Sequence, residues 1–148
     1  MLYGLVMTLL LVFCFACGRG VTPIIPKDAL LAYNRVGGFV GYFDRLVIYP
    51  DGRCELEAQR GDQEVNKEFE VDAGEISLLN DLMRQADFMN LGDNYLYAEH
   101  EGGDVFEYVI AYRIEGKQHT VNTMDYAIPG FLQPIIDELN GLISRNTG

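Results

Sequence analysis

The chain has 148 residues, 49% of them hydrophobic, with 22 acids against 11 Lys and Arg for a formal charge of −11. That length suits one domain, and the apolar share is enough to bury a core. The charge excludes a phosphate-binding basic face, so nucleic acid is not an expected partner; an acidic surface serves solubility or a basic partner.

The first element is MLYGLVMTLLLVFCFACGRG. Leu5 to Phe15 is nearly all apolar, too short for an easy membrane span and suited to the hydrophobic region of a signal peptide. The run closes on Phe15-Ala16-Cys17-Gly18, which resembles a bacterial lipobox. The expectation is a lipoprotein-type signal over 1–17, with Cys17 acylated as the mature N-terminus. The protein is then secreted and anchored to the bacterial cell membrane. Ala16-Cys17-Gly18 also reads as an ordinary signal-peptidase site, and an uncleaved anchor is a third reading. With Cys14 leaving in the signal and Cys17 lipidated, Cys54 is alone of the three cysteines, a small buried apolar residue with no disulfide partner.

GRGVTPIIPKD follows, glycines and prolines of a tether over 18–29, and the folded domain is expected over 30–148. LLAYNR reads as a first short strand. Val36 to Tyr42 is a glycine-rich loop. Two strand-like runs then flank Pro50-Asp51-Gly52, a turn in which Pro presets φ and Gly accepts a positive one. Cys54, Leu56 and Ala58 alternate with Arg53, Glu55, Glu57 and Gln59, so one face is dry and one wet. Arg60-Gly61-Asp62-Gln63 makes the next turn; its RGD tripeptide is too short to carry meaning. KEFEVD alternates again, with Phe69 and Val71 inward.

At Asp72 the period changes. Asp72 and Glu75 form a capping-box pattern, and Ile76, Leu79, Leu82, Met83 and Ala86 fall at helical spacing, predicting a helix from about Ala73 to Ala86. Asp87 to Asp104 is a long irregular connection. Val105 to Thr123 is a second hairpin turned at Glu115-Gly116-Lys117, and its first strand is apolar on parts of both faces, as a central strand should be. Leu132, Ile135, Ile136, Leu139, Leu142 and Ile143 form one helical stripe. The closing helix is expected to begin near Pro129 to Phe131, with Pro134 in a first turn that does not need its N–H. The sum is an α+β domain: an antiparallel sheet of about five to six strands with two helices packed on one face.

Catalytic signatures are thin. His100 and His119 have no partner at metal-ligand spacing, and there is no G-x-S-x-G, no P-loop and no second cysteine in the mature domain. Glu99 to Asp104 comes nearest to a calcium loop, but its order does not match an EF-hand, and a solvated acidic loop is the plainer reading. No enzyme activity, resident metal or cofactor is assigned.

The order of motifs resembles the emfourin, or protealysin inhibitor, family. Its pattern falls on Gly37, Gly38, Phe39 and Gly41; on Asp104, Phe106 and Tyr108; on His119, Thr120 and Val121; on Asp125, Ala127 and Pro129; and on Leu132 and Pro134. It spans about Leu30 to Ile143. This chain adds a leader and a longer PDGRCELEAQRGDQE hairpin. The resemblance implies a protein inhibitor of a thermolysin-like zinc metalloprotease. On that reading Gly37, Gly38, Phe39, Gly41 and Tyr42 in one loop, with Asp125 and Tyr126 in another, meet the partner. An aromatic would fill the protease pocket and a carboxylate, from Asp125 or from Glu99 to Asp104, would approach its zinc. The two loops are expected at the same end of the sheet. The plainer account of the glycines is a tight return with Phe39, Tyr42 and Phe43 packed on the core edge. The alternative function is a non-catalytic cell-envelope lipoprotein that binds another protein or ligand.

Overall fold

The computed structural model describes residues 24–96 and 104–148. The expected signal over 1–17, the lipid site Cys17 and the acidic stretch Glu99 to Gly103 lie outside the described residues. Within them, one sheet is built from β1 (Leu31–Gly37), β2 (Tyr42–Ile48), β3 (Arg53–Arg60), β4 (Gln63–Glu70), β5 (Asn94–Tyr95), β6 (Phe106–Ile114) and β7 (Lys117–Met124). Two helices, α1 (Ala73–Gln85) and α2 (Gln133–Thr147), complete it.

The strand order is β4-β3-β2-β1-β6-β7-β5. Each neighbouring pair is antiparallel except β5 and β7, which run parallel through Asn94 opposite Asn122 and Tyr95 opposite Thr123. The sheet is therefore mixed and seven-stranded, not the antiparallel sheet of five to six strands expected from sequence. The extra strand is two residues inside the connection after α1, too short for any alternation to register.

Period two places the core. Leu31 and Tyr33 of β1, Leu46 and Ile48 of β2, Leu56 of β3, Ile110 of β6 and Val121 of β7 are buried in one cluster. Leu79 and Met83 of α1 and the full apolar stripe of α2 join that same cluster, so both helices cover one face. At the start of α1 the Asp72 carboxylate accepts the Glu75 N–H at 2.9 Å, and the Glu75 carboxylate accepts the Asp72 N–H at 3.3 Å. The capping box thus satisfies two donors that a helix start leaves unpaired. Helix α2 begins at Gln133, later than expected. A separate turn, in which the Leu132 N–H donates to the Pro129 carbonyl at 2.9 Å, precedes it, and Pro134 lies in the first turn.

The second face is partly covered by the incoming chain. Ile25 and Ala29 are buried against Ala32, Val47, Tyr49 and Ala111. Within the expected tether over 18–29, Ile25 and Ala29 find an apolar strip across β1, β2 and β6, while Ile24, Lys27 and Asp28 are exposed.

Candidate functional site

The candidate site is the end of the sheet where β1 stops and β2 and β6 start. Gly37 lies opposite Tyr42 on one side and Phe106 on the other. Its φ is +145°, and a Cβ added there would stand 2.1 Å from the Val105 carbonyl oxygen. Only glycine lets β1 lie this close to the entry of β6. Beyond it the chain turns through Gly38 and Gly41, both at positive φ, closed by the Gly41 N–H on the Gly38 carbonyl at 3.1 Å.

Two bonds fasten this loop to the segment before β6. The Gly38 N–H donates to the Val105 carbonyl at 3.3 Å, and the Phe39 N–H donates to Oδ1 of Asp104 at 2.8 Å. The tip is held while its side chains face water: Phe39 is 86% exposed and Val40 61%. That settles the orientation of Phe39, which does not pack on the core edge. Tyr42 behaves differently. It is half-buried, edge-on to the Phe106 ring at 5.6 Å, with the Arg60 guanidinium 4.4 Å from its centroid.

Asp125 sits on the other flank of Phe106. Its Oδ2 accepts the Phe106 N–H at 2.9 Å and its Oδ1 accepts the Tyr108 O–H at 2.7 Å. The Asp125 N–H returns to the Phe106 carbonyl at 3.0 Å. Tyr126 follows with φ +67° and a side chain 77% exposed. The glycine loop and the Asp125 turn therefore share one end of the sheet, as expected. They are separated by the single strand β6, on the order of 10 Å at the usual interstrand spacing.

The two acids differ in what they have left to offer. Both oxygens of Asp125 are engaged inside the chain, so it acts as a clasp between β6 and the β7 exit. Asp104 is exposed and uses Oδ1 on the loop, while no described residue bonds its Oδ2. A carboxylate reaching outward beside Phe39 is thus Asp104, the described end of the acidic stretch.

Below the loops is an arrangement that the sequence reading did not single out. Asp44, fully buried, receives Nε and Nη2 of Arg35 on Oδ2 at 2.7 and 2.6 Å, and Nη1 of Arg60 on Oδ1. The third Arg35 nitrogen donates to Oδ1 of Asn140 at 3.1 Å, which also accepts the Tyr33 O–H at 2.9 Å. Arg35 lies 5.4 Å over the Phe106 ring. This network ties β1, β2, β3 and α2 together as the floor of the site. Burial, then the neighbouring Asp125, pushes the Tyr108 phenol well above its ordinary range, so it stays a hydrogen-bond donor.

Other chemistry-bearing residues lie elsewhere. His119 pairs with Tyr112 near the far end of β6, its ring 5.8 Å from that of Phe88. Cys54 is buried, which pushes its thiol up to about 12, the character of a packing residue. Among the described residues, no group of three His, Cys, Asp or Glu side chains could hold a metal ion, and no helix is long and apolar enough to cross a membrane. A groove of about 240 Å³ lined by Met83, Phe88, Met89, Tyr112 and Ile114 also belongs to the end away from the glycine loop. Comparison of the chain with protein-family models and with curated proteins finds no match.

Proposed function

We propose that the protein is a non-catalytic binding module whose glycine-loop end enters the cleft of another macromolecule. Its partner is a thermolysin-like zinc metalloprotease, as the emfourin resemblance implies. The observation that carries the reading is Phe39: 86% exposed, yet on a loop fastened by Asp104 and Val105. An aromatic held outward on a constrained loop loses little freedom on binding, which is what makes such residues anchors. Val40 and Tyr126 supply further contact at the same end. Standard interfaces bury about 800 Å² per partner, so the two loops act together.

In this reading Phe39 fills an apolar pocket of the protease and Oδ2 of Asp104 turns toward the protease's own zinc, displacing its water. Gly37, Gly38 and Gly41 shape the loop, Tyr42 and Asp125 hold its two flanks, and Tyr126 widens the contact. A lipid on Cys17 would station the module at the cell envelope, where secreted proteases pass.

The test is to titrate the protein into several thermolysin-type proteases and follow peptide cleavage. Stoichiometric loss of activity supports inhibition. Unchanged activity at high molar excess across all of them rejects it and favours the alternative, an envelope lipoprotein with a different protein or ligand as partner.

A further inference from the structure

Strand β4 ends the strand order on its side, and among the described residues no strand pairs with its outer edge. It is long for an edge: eight residues in unbroken register with β3, from Arg53 opposite Glu70 to Arg60 opposite Gln63. It contains no proline. Antiparallel pairing alternates, so every second residue of β4 turns its N–H and C=O outward. Such an edge is a template for one more strand unless something prevents it.

The two faces of that edge are chemically distinct. On the helix side, Val65 and Phe69 are half-buried and pack against the core, with Lys67 between them reaching the Asn146 carbonyl at 3.5 Å. On the opposite side stand Glu64, Asn66, Glu68 and Glu70, all exposed. Behind them, Glu55 and Glu57 of β3 face the same way, and Glu55 sits directly across from Glu68. Like charges in that position repel. Arg53 offsets Glu55 at 2.6 Å and Arg45 offsets Glu57 at 3.1 Å. No ion pair joins Glu64, Glu68 or Glu70 among the described residues.

This charge pattern rejects a second copy of the chain, because edge-to-edge pairing would bring these glutamates against their own equivalents. It also selects a complement. We infer that the outer edge of β4 accepts an extended cationic segment of another protein as an eighth strand. Lys or Arg at every second position lies along Glu64, Glu68 and Glu70, and apolar residues between them extend the Val65–Phe69 side. Backbone bonds to the outward groups give the affinity, and the alternating side chains give the selection. This inference does not rest on the glycine-loop reading, since it uses only Glu64 to Glu70 of β4, none of which that reading assigns a role.

The experiment uses an end-blocked, fluorescently labelled peptide of sequence Thr-Lys-Val-Lys-Val-Lys-Thr. Anisotropy measures its binding to the protein, and residue-resolved amide exchange locates it. The expected result is saturable binding with at least tenfold slower exchange confined to the outward amides of 64–70. Methylating alternate backbone nitrogens of the peptide, with side chains unchanged, should weaken binding at least tenfold. The double variant Glu64→Lys, Glu68→Lys should weaken it at least tenfold as well, and a peptide with Glu in place of Lys should then bind that variant. Equal binding of the methylated peptide would reduce the contact to bulk charge attraction and overturn the inference. Absence of saturable binding, protection away from β4, or concentration-dependent dimers pairing through β4 would overturn it too.

Discussion

Gly37 and Gly41 lie in one loop at positive φ, yet the chain needs them for different reasons. An alanine Cβ at Gly37 would collide with the Val105 carbonyl at 2.1 Å, whereas at Gly41 nothing lies within 4 Å. Gly41→Ala should therefore cost only the backbone penalty, about 1 kcal/mol, and Gly37→Ala about 2–4 kcal/mol as β1 is forced off β6. Urea unfolding of the two variants checks this; equal losses would mean that β1 and β6 do not approach as described. The glycines themselves were legible, because three of them between strand-like runs signal a turn. The direction of Phe39 was not. Whether an aromatic beside glycine faces inward depends on Asp104, sixty-five positions away, whose carboxylate holds its N–H. Asp44 was legible in principle: it shares the phase of Leu46 and Ile48, and a charge at a core position demands partners. Arg35 and Arg60 carry the same signal in their own strands.

Among the elements, the hairpins, α1 and the apolar stripe of α2 follow from local periodicity and caps, which is why they could be placed from sequence. Strand β5 could not, since its two residues gain strand geometry only by meeting β7. The central strands carry the clearest consequence for stability. Tyr33 on β1, and Tyr108 and Tyr112 on β6, point into the helix-side core with their hydroxyls on Asn140, Asp125 and Asn80. Burial raises the pKa of each. A tyrosine raised in the folded state keeps its proton after the unfolded chain has lost its own, near pH 10. The folded state then binds more protons, so stability is intact below about pH 10 and falls as pH rises beyond it, by up to about 1.4 kcal/mol per pH unit for each such group. Denaturant midpoints between pH 8 and 11 should show this decline. Tyr108→Phe should make the slope shallower by up to that amount, although it lowers stability at pH 8 by leaving Oδ1 of Asp125 without its donor. An unchanged slope would place the Tyr108 hydroxyl in solvent.

At the scale of the molecule, topology converts scattered motifs into one surface. The insertion of β6 beside β1, with β7 beyond it, brings Val36–Tyr42, Asp104–Phe106 and Asp125–Tyr126 to one end. No local pattern states that pairing: apolar residues on both faces mark β6 as a central strand, but only nonlocal contacts make β1 its neighbour. The acids are distributed by role: Asp44 in the floor, Asp104 and Asp125 as clamps, and the glutamates of β3 and β4 on an exposed outer face. The incoming chain crosses the face opposite the helices, where Ile25 and Ala29 are buried. The most direct measurement is the inhibition constant of Phe39→Ala against a thermolysin-type protease that the unaltered protein inhibits. An exposed side chain contributes little to folding, so the variant should unfold within about 0.5 kcal/mol of the parent. As an anchor its loss should weaken inhibition by about thirtyfold or more, the equivalent of about 2 kcal/mol. An inhibition constant equal to that of the unaltered protein would remove the glycine-loop end as the contact surface.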